Sequence, residues 1–98
     1  MRVRFVGSAN RDIPEIAEHY RRVGGNALAL RMIRVIRSEI ALLANNPKIA
    51  PPYELVSGIH RYVIANGAYL AFYRVRANIE VLHVRRSERA PAEEADLE

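Results

Sequence analysis

Arginines crowd one stretch of this chain, residues 58 to 86, and their chemistry gives the first indication of a function. The stretch contains Arg61, Arg74, Arg76, Arg85 and Arg86. Because the guanidinium group is planar and presents a fork of N–H donors, it binds phosphate and carboxylate groups well. Such a concentration of arginine favours an acidic partner, either nucleic acid or an acidic protein segment. The alternative is an ordinary solvated surface that happens to use arginine.

Aromatic residues are interleaved with these arginines. They could stack on nucleic acid bases, although strands also favour aromatic side chains for packing alone; they are Tyr62, Tyr69, Phe72 and Tyr73. Neighbouring strands can gather the arginines into one patch if their registers agree. We predict that this patch binds the target of the protein and consists of Arg61, Tyr69, Arg74, Arg85 and Arg86.

Three histidines, His19, His60 and His83, could in principle transfer protons or bind a metal. They lack a ligand spacing such as His-x-x-x-His, so we expect no metal site, and nothing in the sequence calls for a cofactor. His83 lies close in sequence to Arg85 and Arg86, and these three are the candidates for catalysis if the protein is a nuclease. The interpretation that we favour is a strand histidine at the edge of a sheet.

Composition limits the size, the class and the location of the protein. With 98 residues, the chain has room for one modest core and no second domain. It contains no cysteine, and no apolar run approaches the roughly 20 residues of a membrane span. We therefore expect a cytoplasmic protein. The net charge of +4 understates its basic character, because four acidic residues lie among the last six; residues 1–92 hold 15 basic and 7 acidic side chains, a net +8.

The first half of the chain reads as a strand followed by two helices. Residues 2–6 alternate arginine with apolar side chains, as a half-buried strand does. Asp12 is placed to cap a helix that ends at Gly24-Gly25, and apolar residues then recur at helical spacing as far as Leu43. Two helices joined by a glycine turn predict an antiparallel helical hairpin. The prolines of residues 47–52 predict an extended connection after it.

The second half reads as three antiparallel strands, over residues 59–64, 69–75 and 79–84. Asn66-Gly67 between the first two is a strong hairpin signal, because both residues tolerate positive φ angles. We therefore predict an α+β fold in which an N-terminal strand and a helical hairpin precede a three-stranded meander, with the helices packed on one face of the sheet. Residues 1–86 would form the single domain, and residues 87–98 a mobile acidic tail.

In this order and spacing, these segments resemble the RelE/ParE superfamily of toxins from bacterial type II toxin–antitoxin systems. The resemblance extends to about Arg86 and rests on the pattern Asp12-x-x-Glu15-Ile16-x-x-x-Tyr20, on residues 42–47, on Gly58-Ile59-His60-Arg61, and on residues 67–75 and 79–86. It implies the α+β fold described above and a protein that arrests growth until an antitoxin neutralises it.

The superfamily has two functional branches, and the residues favour one of them. RelE-like members cut messenger RNA on the ribosome and usually carry an arginine where this chain has Leu70, with an aromatic or other proton-transfer residue after the last strand; here no aromatic residue follows Tyr73. ParE-like members lack that catalytic set and poison DNA gyrase. Their C-terminal pattern often runs His-Gly-x-Arg, whereas here His83 is followed by Val84-Arg85-Arg86.

The resemblance therefore implies a ParE-like toxin that inhibits DNA gyrase by binding rather than by enzymatic action. Its implied partner is a ParD-like, ribbon-helix-helix antitoxin, which would form a hetero-oligomer with the toxin and cover an exposed sheet edge. Two alternatives stay open: a ribosome-dependent endoribonuclease, and an inactive protein that retains the toxin fold only to bind a partner.

Overall fold

A four-stranded mixed sheet, backed by helical residues, forms the body of the protein. The computed structural model describes all 98 residues. In chain order its elements are β1 Val3–Phe5, α1 Ala9–Ala41, a 3₁₀ turn Leu42–Ala44, β2 His60–Ile64, β3 Tyr69–Val75, β4 Ile79–Arg86 and a second 3₁₀ turn Glu94–Leu97. The strand order is β1-β4-β3-β2. The α+β class is confirmed, but the N-terminal strand joins the sheet in parallel with β4, so the sheet is mixed and larger than the predicted meander.

The predicted break at Gly24-Gly25 is present, although no loop separates the two helical halves as in the predicted hairpin. The structure has one helical run, α1, with a single non-helical residue, Gly25, at φ 85° and ψ 179°. A straight helix of 33 residues would be about 50 Å long, whereas the longest dimension of the molecule is 38 Å. The run therefore bends sharply at Gly25, and both of its halves contribute to the same core, Ile13 from the first half and Ile36 and Ile40 from the second.

Each face of the sheet carries its own apolar cluster. On the inner face, Tyr69, Ala71, Tyr73 and Val81 pack against α1. Because neighbouring residues of a strand point to opposite faces, Leu70 and Phe72 face outward. The outer cluster consists of Tyr53, Ile59, Phe72, Leu82, Ala92 and Leu97. The outer face is thus covered by the connection before β2 and by the end of the chain.

The predicted turn between β2 and β3 is confirmed. Ile64 pairs with Tyr69, and Ala65, Asn66 and Gly67 between them all have positive φ. The glycine supplies the largest of these angles, 88°, without a side chain that would clash. This turn sets the register of the two strands and hence the side of the sheet on which each arginine emerges.

The C-terminal segment, residues 87–98, for which the sequence predicts a mobile acidic tail, packs on the sheet in this structure. Ala92 and Leu97 are buried in the outer cluster, and the Tyr53 hydroxyl donates a hydrogen bond to the Ala92 carbonyl at 2.7 Å. Two apolar side chains among many acidic ones are enough to hold the segment on the sheet, because Phe72 and Leu82 would otherwise face water. No helix has the length and apolar character that crossing a membrane requires.

Candidate ligand-binding surface

The predicted target-binding arginines emerge on both faces of the sheet. Arg61 pairs with Phe72, and Arg85 pairs with Leu70, so both arginines share the outer face. Arg74 follows the inward-facing Tyr73 and also points outward. Arg86 directly follows Arg85 and pairs with the inward-facing Tyr69, so it emerges on the side of α1. The structure therefore brings Arg61, Arg74 and Arg85 to one face and separates Arg86 from them.

Among the predicted target-binding residues, Arg61 and Arg74 are the outer-face arginines that a partner could reach. Arg61 is exposed and lines an open groove of about 400 Å³. The other walls of the groove come from the connection before β2, from Leu70 and Phe72, and from Arg89 and Ala92 of the C-terminal segment. Arg74 is half-buried and donates from Nε to Oε1 of Glu80 at 2.5 Å. The hydrogen bond from Arg74 is the main reason that the pKa of Glu80 lies below its ordinary value.

Arg85 is the least accessible of the four predicted arginines. Only 6% of the residue is exposed, because the C-terminal segment lies over it. Its guanidinium donates to the Ala90 carbonyl at 2.9 Å and lies 3.8 Å from the carboxylate of Asp96, while its Nε has no partner. A buried cation with so few acceptors is an unusual arrangement, since a guanidinium carries five N–H donors.

Tyr69 and Arg86 lie on the side of α1. Tyr69 is 2% exposed, and its hydroxyl donates to that of Tyr20 at 3.1 Å. Burial together with the bond to Tyr20 raises the pKa of Tyr69 to about 12. Arg86 is exposed and donates to Nε2 of His19 at 2.6 Å, with Glu88 3.6 Å away. Tyr69 thus has a packing role, and a target would meet Arg86 from a different direction than Arg61.

A buried polar cluster at the start of α1 escaped the sequence-based prediction. Nδ1 of His83 lies 2.9 Å from Oδ2 of Asp12 and 2.7 Å from Oγ of Ser8. The same Asp12 oxygen accepts the Val84 N–H at 2.9 Å and the Ser8 hydroxyl at 3.1 Å. Burial alone would raise the pKa of Asp12, but the hydrogen bonds from His83, Val84 and Ser8 outweigh it and hold the pKa below its ordinary value.

The predicted helix cap at Asp12 is therefore wrong, because α1 begins earlier, at Ala9, and the Asp12 carboxylate is used by β4 instead. The register of β3 and β4 shifts between Phe72 and Tyr73, opposite the stretch of β4 that meets Asp12. The one sequence signal for this polar cluster was an acidic residue four positions after Ser8 on a helix. Nothing in the sequence says that this helix end lies against β4.

The three candidates for catalysis do not form an open site in this structure. His83 is 7% exposed, its ring stacks on Phe72 at 6.1 Å between centroids, and its remaining nitrogen, Nε2, is buried without a partner. A general acid must reach the atom that it protonates. Arg85 is buried under the C-terminal segment, and Arg86 emerges on the opposite face. No group of three or more His, Cys, Asp or Glu side chains could hold a metal ion.

Comparison with known proteins identifies the family. A family model described as "ParE toxin of type II toxin-antitoxin system, parDE" matches residues 3–91. The chain belongs to the ParE toxin family. The match covers the helical run and all four strands of this ParE-family toxin and ends before the second 3₁₀ turn.

A solved structure agrees with this assignment. It is described as "Chromosomal ParDE TA system from P. aeruginosa", and its matching chain superposes with a TM-score of 0.80 at 25% identity over 90% of this chain and 97% of that one. A search of curated proteins found no match. The ParE branch that the meander suggested is thus shown by two independent comparisons, and the protein is a ParE-like type II toxin.

Proposed function

We propose that this ParE-family toxin inhibits DNA gyrase by binding to it and blocks replication without breaking covalent bonds itself. The observation that carries the proposal is family membership together with the position of His83. His83, the histidine that the sequence offers as a general acid, is buried and hydrogen-bonded to Asp12 and Ser8. The predicted target-binding side chains that a partner can reach are instead cations, which can bind acidic groups: Arg61 and Arg74 on the outer face and Arg86 at the end of β4.

The endoribonuclease alternative has less support. Leu70 occupies the position where the RelE-like pattern has arginine, and its side chain is partly buried against the outer apolar cluster. An arginine introduced there would face the same groove as Arg61.

Gyrase supercoiling assays test the proposal. Purified gyrase and relaxed plasmid are incubated with increasing concentrations of the toxin, and the products are resolved on agarose gels. We expect inhibition at micromolar toxin. In Arg61→Gln we expect about tenfold weaker inhibition, because a charged hydrogen bond contributes about 1.5–3 kcal/mol. Arg31→Gln is the matched control, since Arg31 is also exposed but lies on α1. Equal inhibition by both variants would remove Arg61 from the target surface, and no inhibition by the wild type would refute gyrase as the target.

We also propose that a cognate antitoxin of the ParD-like, ribbon-helix-helix type neutralises the toxin in a cytoplasmic hetero-oligomer. The family description and the ParDE structure support this partner. Several apolar side chains are exposed and available for a partner to cover: Val23 and Leu30 on the helical run, Leu42 in the 3₁₀ turn after it, and Val63 on the edge strand β2. Co-expression with the neighbouring reading frame tests this. Growth should be restored and the two proteins should co-purify, whereas growth unaffected by the toxin alone would support the inactive alternative.

A further inference from the structure

Arg85 is buried with fewer partners than its donors require. Its five N–H groups meet one backbone carbonyl, that of Ala90, and one carboxylate, that of Asp96, at a distance too long for a hydrogen bond. Its Nε is orphaned. Burial of a cation is unfavourable unless close acceptors replace the lost water. The C-terminal segment therefore covers Arg85 without satisfying it.

A second orphaned group lies under the same cover. The His83 ring stacks on Phe72, which belongs to the apolar cluster completed by Ala92 and Leu97. Its Nδ1 is engaged by Asp12 and Ser8, but its Nε2 is buried without a partner. Both Arg85 and His83 are close enough to Asp96 to contribute to the lowering of its pKa, although its bond to the Glu93 backbone contributes most. Arg85 and His83 thus both lie under the C-terminal segment, and each has a nitrogen without a hydrogen-bond partner.

The C-terminal segment that covers Arg85 and His83 is held by few contacts. Within residues 87–98, the only buried side chains are Ala92 and Leu97, and the segment adds no strand to the sheet. Its hydrogen bonds to the rest of the protein are accepted by the Ala92 and Ala90 carbonyls from Tyr53 and Arg85, and at its start Ser87 donates to the Ala68 and Gly67 carbonyls. The end of the chain rests against Gly7, where a Cβ would lie 2.6 Å from the Glu98 carbonyl oxygen. An occupant held in this way can be displaced by a segment that supplies the missing acceptors.

We propose that the C-terminal segment is a displaceable cover over an anion-binding site made by Arg85 and His83, and that the ligand is an acidic protein segment with an apolar anchor. The cover itself shows the chemistry that fits. Leu97 fills the apolar cluster, and one residue earlier Asp96 presents a carboxylate to Arg85. A ligand whose carboxylate reached bidentate distance would satisfy the guanidinium that the cover leaves unpaired.

This inference goes beyond the proposed function, because it does not require gyrase to be the target. The family model ends at residue 91, so the residues that carry Leu97 and Asp96 lie outside the part of the chain that it matches. If the toxin did not inhibit gyrase, the proposed site under the C-terminal segment would be unaffected. If that site never opened, the proposal of gyrase inhibition would be unaffected. The two proposals can therefore fail separately.

Chemical modification of arginine tests whether the cover opens. The full-length wild type and Leu97→Ala are treated with phenylglyoxal, and mass spectrometry follows each arginine while hydrogen exchange follows the backbone of residues 92–98. We expect at least tenfold faster modification of Arg85 in Leu97→Ala, with Arg31 unchanged as an internal reference. Leu30→Ala is the matched control, because Leu30 is exposed on α1. If Leu97→Ala does not fold, Tyr53→Phe removes only the hydroxyl that holds Ala92 and replaces it in the experiment.

Two results would overturn the proposal at this stage. In one, Arg85 stays protected although residues 92–98 exchange freely, which would mean that the sheet itself buries Arg85. In the other, residues 92–98 stay protected in both Leu97→Ala and Tyr53→Phe, which would mean that the segment is a fixed part of the fold.

A peptide titration tests the class of ligand. The probe is a labelled nonapeptide with the sequence of residues 90–98, APAEEADLE, added to the full-length proteins and followed by NMR. We expect binding to Leu97→Ala and none to the wild type, at least tenfold weaker binding of the peptide with its acids replaced by Gln and Asn, and loss of binding when Arg85→Gln is added. Equal binding of the neutral peptide would refute anion recognition. Preference for a single-stranded oligonucleotide over the peptide would refute an acidic protein segment as the ligand.

Discussion

Replacement of Asp12 by alanine should destabilise the toxin far more than the loss of a helix cap. The carboxylate accepts the backbone N–H of Val84 at 2.9 Å and lies 2.9 Å from Nδ1 of His83, and Ser8 is its third donor. In Asp12→Ala the Val84 N–H loses its acceptor inside the protein, and the His83 nitrogen keeps only the Ser8 hydroxyl, at 2.7 Å. Each buried group left unsatisfied costs about 1–3 kcal/mol. Because Asp12 keeps 13% of its side chain exposed, some water can enter, and we expect a total loss of about 2–3 kcal/mol.

Urea unfolding followed by circular dichroism at 222 nm measures this loss, since the chain has no tryptophan. For a domain of this size, the expected loss corresponds to a decrease in Tm of roughly 10–20 °C. Glu15→Ala is the matched control, because Glu15 lies on the same helix and is exposed; it should change stability by about 0.5 kcal/mol or less.

A double-mutant cycle separates the two explanations. If Asp12 and His83 interact as the structure shows, the losses in Asp12→Ala and His83→Ala will not add, and their coupling should be about 1–2 kcal/mol. A loss of about 1 kcal/mol or less in Asp12→Ala with no coupling to His83 would match an ordinary helix cap. That result would refute the bond between α1 and β4.

Three further predictions follow from individual contacts. The pKa of Asp12 in the folded state lies below its ordinary 3.8, so the ionised carboxylate stabilises the protein above about pH 4, and this contribution is lost as pH falls through the folded pKa. The difference in unfolding free energy between the wild type and Asp12→Asn should therefore shrink in urea titrations below about pH 4. A difference that stays constant with pH would contradict this. Gly25→Ala should cost about 1–3 kcal/mol, since φ 85° with ψ 179° is open almost only to glycine; a neutral effect in thermal unfolding would mean that α1 bends elsewhere. Tyr73→Phe should cost about 1 kcal/mol by removing the hydrogen bond from its hydroxyl to the Pro47 carbonyl at 2.8 Å, and unchanged stability would indicate that water replaces the bond.

Local patterns sufficed for the strands and turns of the second half. The strand over residues 69–75 and the hairpin at Asn66-Gly67 were predicted from local patterns, and in the structure Tyr69, Ala71 and Tyr73 lie on one face, as alternation along a strand requires. These features depend on neighbours in sequence, so the sequence carries them directly. The same alternation implies that Arg85 and Arg86, as consecutive residues of one strand, face opposite sides. The prediction of a single arginine patch did not take this into account.

Contacts between distant segments could not be predicted in the same way. The parallel pairing of β1 with β4 joins residue 3 to residue 79, and Asp12 bonds to Val84 across 72 positions. Nothing in the types of these residues specifies such partners. The docking of the C-terminal segment is similar, because it depends on an uncovered apolar surface at Phe72 and Leu82 that only the folded sheet creates. These long-range contacts decide which arginines are accessible, and so the target-binding residues stay a prediction.

The central claim, a toxin that acts by binding, is tested most directly by two assays on one preparation of the wild-type protein. Plasmid supercoiling by purified gyrase and the integrity of messenger RNA in a translation extract are measured at the same toxin concentrations. We expect supercoiling to be inhibited at micromolar toxin while messenger RNA stays intact. Cleaved messenger RNA with unaffected supercoiling would contradict it.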